Sequence, residues 1–206
     1  MLDRLVGQLQ QLGFSSVRCA LREELLSADD KASLPQAPQT KYLFVNTESS
    51  LHTLGEIAKA ELPHLATESA LFVSMADTIL RPQDFQSFVE FCRALAPGEN
   101  AILATPYVRD EKPLVVEQNE RGFVTHFGGE LRAGSLVTSG MYCLSKEALE
   151  AAEPCLKMGT HKMRNFLAHL VEKNQKIRVF VVEKTIDVDH PDDLQDALRF
   201  IDEARV

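Results

Sequence analysis

Tryptophan is absent from the 206 residues, and aromatic side chains make up only 7% of them. Those aromatics fall mainly at core spacing, which argues against a stacking platform for single-stranded nucleic acid. Basic charge is also short: 22 Lys and Arg stand against 30 Asp and Glu, a formal net charge of −8. A general nucleic-acid grip needs cations to displace counterions from phosphates, so no nucleic-acid partner is expected. A nucleotide ligand stays open, because a metal ion can supply the missing positive charge. Cys19, Cys92, Cys143 and Cys155 lie far apart, with no C-x-x-C and no zinc-box histidine. They read as reduced thiols and predict a cytoplasmic protein. No apolar run approaches the ~18 residues of a membrane span, and no basic leader precedes an apolar stretch, so no membrane partner is expected. G-x-S-x-G and H-E-x-x-H are missing, which removes support for a serine hydrolase or a zincin. Gly129 and Gly134 have the spacing of a phosphate loop, but Ser135-Leu136 stand where its Lys and Ser/Thr belong.

What is present is an ordinary globular composition, 45% apolar, long enough to bury a core without staples. One domain over residues 1–206 is expected. Leu2, Leu5, Val6, Leu9 and Leu12 share a helical face that Gly13 stops. Ser16–Ala20, Tyr42–Val45, Ala101–Ala104, Leu136–Leu144 and Ile177–Val182 read as strands. Helical spacing runs through Leu51–Leu62, through Gln83–Leu95 behind Pro82, and through His161–Lys173. Ser145 caps a helix over Lys146–Ala152. Residues 27–40, with Pro35 and Pro38, read as a surface connection. Leu114–Val116 and Phe123–Phe127 flank Asn119-Glu-Arg-Gly122, a hairpin turn with glycine available for positive φ. The last helix follows Pro191, with Leu194, Ala197, Leu198 and Ile201 as its core face. This alternation predicts an α/β fold, Rossmann-like, with a mostly parallel sheet, helices on both faces and a small β-hairpin excursion.

The stretch Ala70–Leu80, ALFVSMADTIL, places Asp77 where a buried strand should stop. A carboxylate leaving a parallel strand points into the crevice where open α/β sheets take ligands. Ile186-Asp187-Val188-Asp189 forms a second acidic run near the other end of the chain. Carboxylates from two separate strand ends can share one Mg²⁺, which keeps waters and substrate phosphates as its other ligands. The plainer alternative is that Asp77 caps a turn and that residues 187–193 decorate a helix N-terminus. His190 reads as a hydrogen-bonding spacer. His161, Lys162 and Arg164 either face an anionic substrate or form a solvated helix start.

In this order the motifs resemble the nucleotidyltransferase family, the sugar-1-phosphate nucleotidyltransferases or pyrophosphorylases, with their nucleotide-diphospho-sugar transferase fold. Residues 1–13 are similar to the helix after that family's Lys-Pro segment. Leu71–Thr78 resembles the strand carrying its first metal aspartate. Ser139-Gly140-Met141-Tyr142 is similar to the Gly-containing strand near its acceptor site. Thr185–Leu194 looks like its closing Asp-x-x-Thr-Pro-Glu-Asp motif, the most specific of the matches. The resemblance implies catalytic and metal roles for Asp77 and Asp187, with Asp189 as the metal ligand if the cytidylyltransferase branch is followed. It also implies nucleotide contacts at Ser50, His52 and Thr53, and acceptor contacts at Gly140 and Arg132. The implied reaction is Mg²⁺-dependent transfer of a nucleotidyl group from an NTP to a phosphorylated sugar or related acceptor. The family's first strand, its G-x-G-x-R loop and the Lys-Pro that follows would precede Met1, so the resemblance implies an N-terminally incomplete domain. A non-catalytic nucleotide- or sugar-sensing homologue, or an assembly subunit, is the alternative.

Overall fold

A computed structural model describes residues 1–37, 39–109 and 112–202, and Pro38 lies outside them. The chain opens with the expected amphipathic helix α1 (Leu2–Gln11), which buries Val6 and Leu9. Then come β1 (Val17–Arg22), α2 (Ala28–Ala32), β2 (Thr40–Val45) and α3 (Ser50–Glu61). Within the stretch read as a plain connection, α2 is the departure. Ser27 and Asp30 form a capping box, each satisfying the other's backbone N–H, and that local chemistry supports a short helix without burial.

The middle of the chain supplies β3 (Ala70–Ser74), β4 (Thr78–Ile79), α4 (Pro82–Arg93), β5 (Asn100–Thr105), β6 (Val115–Gln118), β7 (Val124–Phe127) and β8 (Leu136–Ser145). After it follow α5 (Lys146–Glu150), α6 (Ala152–Lys157), α7 (Met163–Glu172), β9 (Ile177–Val181), β10 (Ile186–Asp187) and α8 (Pro191–Asp202). No helix among the described residues is long and apolar enough to cross a membrane.

These elements form two compact units. The first joins residues 1–64 to residues 149–166, and the second joins residues 65–148 to residues 167–206. In the first, β1 and β2 pair in parallel from Val17 opposite Thr40 to Arg22 opposite Val45. Leu51, Leu54 and Ala58 of α3 are buried, and a Cβ on Gly55 would meet Leu156 of α6 at 2.9 Å. Glycine here lets two helices approach closely.

The second unit is built on a six-stranded sheet in the order β7-β6-β8-β5-β9, with β3 also on β8. A mostly parallel sheet was expected, and the pairing corrects that. Only β5 and β9 pair in parallel; β3, β5 and β6 all lie antiparallel to β8, and β7 lies antiparallel to β6. The cause is the placement of β8. It inserts between strands that share one direction and runs against them, so each of its ladders becomes antiparallel. The hairpin turn forms as read: Asn119 Oδ1 accepts the N–H groups of Arg121 and Phe123, and Gly122 sits at φ 76°. A file of rings lines the core, Phe72 on Phe85 and Phe88, then Phe88 and Phe91 on Phe180, with centroids 5.1–5.8 Å apart.

The core face of α8 also differs from expectation. Ala197 and Phe200 are buried with Ile79 and Ile186, and Ile201 packs against them, whereas Leu194 and Leu198 are 45% and 55% exposed. The arc turns toward Phe200, which packs with Ile79, Ile186 and Ala197.

Candidate active site at the β4–β10 ladder

Strand β3 ends at Ser74, so Asp77 lies three residues past it, in the turn that leads to β4. The turn is closed on one side by Met75, whose N–H donates to the Gly140 carbonyl at 2.9 Å. On the other, the Val188 N–H donates to the Asp77 carbonyl at 3.1 Å. Between them β4 pairs antiparallel with β10, Thr78 opposite Asp187 and Ile79 opposite Ile186. The apolar pair Ile79 and Ile186 faces the core and leaves the Asp77 and Asp187 end of the ladder at the surface, where Asp187 and Asp189 are exposed and Asp77 half-buried. The sequence set 186–189 apart as an acidic run, at a strand end or a helix N-terminus, without showing its partner. Two-residue strands carry no readable period, so this ladder was invisible beforehand.

Two features govern the electrostatics. Burial holds the Asp77 carboxyl above its ordinary range, and the negative charge of Asp189 pushes in the same direction. Hydrogen bonds from the Asp77 and Thr78 N–H groups pull the other way. Asp77 also shares a field with Asp189. Thr78 is 4% exposed, and its hydroxyl donates to Asp187 Oδ1 at 2.8 Å. Tyr142, 7% exposed, has its phenol pushed up to about 12, first by burial and then by the charges of Asp187 and Asp77. Thr185 donates to the buried Ser139 hydroxyl at 3.0 Å. Sequence reasoning passed over Thr78, Tyr142, Ser139 and Thr185 as site residues. The S-G-M-Y run and the threonines beside both acidic positions were the available signal.

Gly140 belongs to this group through its backbone. Strand β8 passes from Tyr142 to Thr138 while its partner β5 passes only from Ile102 to Ala104. The extra residues form a bulge, the device that re-aims a strand beside functional sites. Gly140 sits in it at φ 45°, and a Cβ there would come within 2.6 Å of Thr78 Oγ1.

Arg132 is not part of this group. It is exposed, bonds Glu130 at 3.3 Å and lines a cavity of ≈ 440 Å³ with Val115, Glu117, Glu130, Ser135 and Leu136. None of the three aspartates lines that cavity. His190 is exposed; its N–H is held by Asp193 Oδ2 at 2.8 Å, a spacer role at the start of α8.

The predicted nucleotide residues belong to the first unit. Ser49, not Ser50, caps α3: its Oγ accepts the His52 N–H at 3.3 Å and meets His52 Nδ1 at 2.9 Å. Thr53 shares a 2.6 Å hydroxyl contact with Thr47, and Ser50 is exposed. The rings of His52 and His161 stack, with centroids 5.1 Å apart and planes 15° off parallel. That pairing had no sequence signal, because 109 positions separate the two histidines.

The acidic group has the donor chemistry of a hard cation site: carboxylate and hydroxyl oxygens, without thiol or imidazole. Among the described residues, no group of three His, Cys, Asp or Glu side chains is arranged to hold a metal by itself. Two carboxylates suffice for Mg²⁺, which completes its shell with water and phosphate oxygens.

No protein-family model and no curated protein matches this sequence. Solved structures do match in shape. HddC from Yersinia pseudotuberculosis is 19% identical with a TM-score of 0.67, over 96% of this chain and 84% of that one. The inositol-1-phosphate CTP transferase from T. maritima is 15% identical with a TM-score of 0.72, over 98% and 83%. A putative glucose-1-phosphate thymidylyltransferase from Bacillus anthracis is 13% identical with a TM-score of 0.75, over 97% and 81%. At these identities the likeness is one of fold, and the chain has the nucleotide-diphospho-sugar transferase fold of these nucleotidyltransferases.

Proposed function

We propose that the chain is a nucleotidyltransferase domain acting on an NTP and a phosphorylated sugar or related acceptor. The observation that carries this reading is the β4–β10 ladder, which brings Asp77 and Asp187 to one end of a pairing between distant parts of the chain. The shared fold supports the reaction class by analogy: the similar structures include an inositol-1-phosphate CTP transferase and a putative glucose-1-phosphate thymidylyltransferase. An acceptor phosphate oxygen attacks the α-phosphorus; the new P–O bond forms as the bond to the β-phosphate oxygen breaks, and pyrophosphate leaves.

In this reading Asp77 and Asp187 hold one Mg²⁺, with Asp189 as a third carboxylate in reach of the same field. Bound there, the ion would neutralise charge on the phosphates. Asp77 contributes a carboxylate kept partly from water, where its charge acts more strongly than in solvent. Thr78 fixes the Asp187 carboxylate by its hydrogen bond. Ser50, His52 and Thr53 are assigned to the nucleotide, Gly140 and Arg132 to the acceptor. Positioning and charge stabilisation supply most of the rate. The protein is proposed to act in the cytoplasm, without nucleic-acid or membrane partners.

A second reading has one observation in its favour: among the described residues, no group of three His, Cys, Asp or Glu side chains is arranged to hold a metal by itself. It makes the protein a nucleotide- or sugar-sensing homologue or an assembly subunit. Pyrophosphate release from each NTP with sugar-1-phosphates, with and without Mg²⁺, is the test. Mg²⁺-dependent release supports the enzyme. Calorimetric NTP binding without release supports the sensor.

A further inference from the structure

We infer that Thr78 and Gly140 are a positioning pair for Asp187, and that the glycine at 140 is there for the threonine hydroxyl. The inference rests on the proposed metal role of Asp187 and goes beyond it. Thr78 is 4% exposed, and its hydroxyl donates to Asp187 Oδ1 at 2.8 Å across the β4–β10 ladder. Asp187 is exposed on a two-residue strand, and this bond favours the rotamer that keeps Oδ1 on Thr78. The Thr78 hydroxyl in turn stands where a side chain at position 140 would be. A Cβ on residue 140 would lie 2.6 Å from Thr78 Oγ1, closer than real Cβ atoms come, and a tight 3.1 Å from Met75 Cγ.

The bulge in β8 and the φ of 45° bring the Gly140 backbone to this spot. The Met75 N–H donates to the Gly140 carbonyl at 2.9 Å, which ties the bulge to the turn before Asp77. A side chain at 140 therefore crowds the hydroxyl and disturbs its bond to Asp187. Gly140 thus acts on the carboxylate through Thr78, in addition to the acceptor contact assigned to it. Supporting partners of this kind are worth roughly 10–100-fold in metal affinity.

The test is a titration of the full chain with Mn²⁺ alone, followed by electron paramagnetic resonance. Asp187→Asn reads the underlying metal assignment, and Thr78→Val, Thr78→Ser and Gly140→Ala read the pair. Thr78→Val should weaken Mn²⁺ binding about tenfold with its thermal midpoint near that of the parent. Thr78→Ser should bind as the parent does, because it keeps the hydroxyl. Gly140→Ala should behave like the valine variant. If Asp187→Asn weakens Mn²⁺ binding and Thr78→Val does not, the positioning role is overturned while the metal reading stands. Equal loss in Thr78→Ser and Thr78→Val also overturns it, since the methyl and not the hydroxyl would then matter. If Asp187→Asn itself changes nothing, the metal reading fails and takes this inference with it. Should the valine variant not fold, Thr78→Ala reads the same hydrogen bond.

Discussion

The acidic group of the second unit and the hydroxyl–imidazole group of the first are built in opposite ways. Asp77, Thr78 and Asp187 meet through a strand pairing that spans most of the chain. Ser49, His52 and Thr53 meet within five residues, at the capped start of one helix. The first group concentrates negative charge and lifts the proton affinity of Asp77. The second consists of hydroxyls and imidazoles, and it offers donors, acceptors and a stacked ring pair. Here the long-range pairing brings Asp77 to an acidic run 109 or more positions away. Local capping presents the hydrogen-bonding groups, since the helix supplies the frame.

Three substitutions press on this contrast, in order of expected effect. Asp77→Asn removes a charge and keeps the shape, so pyrophosphate release should fall at least roughly a hundredfold with the circular dichroism unchanged. Unaltered release would dissolve the functional difference between the two groups. The same variant should be more heat-stable than the parent at neutral pH. The sign follows from linkage. The folded state raises the affinity of Asp77 for its proton, so its contribution is full below the unfolded carboxyl range near about 4 and is lost as pH rises through the folded value. Thermal midpoints of parent and variant should therefore converge toward low pH and separate above it. A constant gap would remove the charge explanation.

His52→Ala deletes one side of a hydrogen bond and a stack, so KM for the NTP should rise a few-fold, of the order of one lost hydrogen bond, with kcat near the parent value. Calorimetry without Mg²⁺ should record the same loss, which sets the hydroxyl–imidazole group apart from the acidic one. Arg132→Ala should have the smallest effect, about twofold or less on KM for the acceptor, because its guanidinium is exposed and already engaged with Glu130.

Much of the architecture was legible because it rests on period and punctuation. The amphipathic stripe of α1, the Pro82 start of α4 and the Asn119–Gly122 turn each follow from chemistry within a few residues. The direction of β8 was not legible. Its apolar run fits a strand of either sense, and only its partners decide. Nor were β4 and β10, which hold through each other and carry no pattern alone. In the candidate site, Asp77 and the 187–189 run stood out as acidic residues after apolar ones. Thr78 stayed hidden because a threonine in a strand is usually just a β-former, and its use here depends on a carboxylate 109 positions away. Gly140 drew notice for its motif, whereas its reason, a neighbour's hydroxyl at the place of its missing Cβ, exists only in three dimensions.

The span of the β4–β10 ladder also bears on when the site can exist during synthesis. A nascent chain carrying β3, β4 and most of the sheet still lacks Asp187 and the Val188 N–H that closes the Asp77 turn. Closing so long a loop is entropically costly and slow, and its return is a two-residue pairing backed by the packing of Ile186 against Ile79 and Phe200. The acidic group is thus expected to mature last. A chain arrested before Asp187 would carry a largely formed scaffold with half its carboxylate pair.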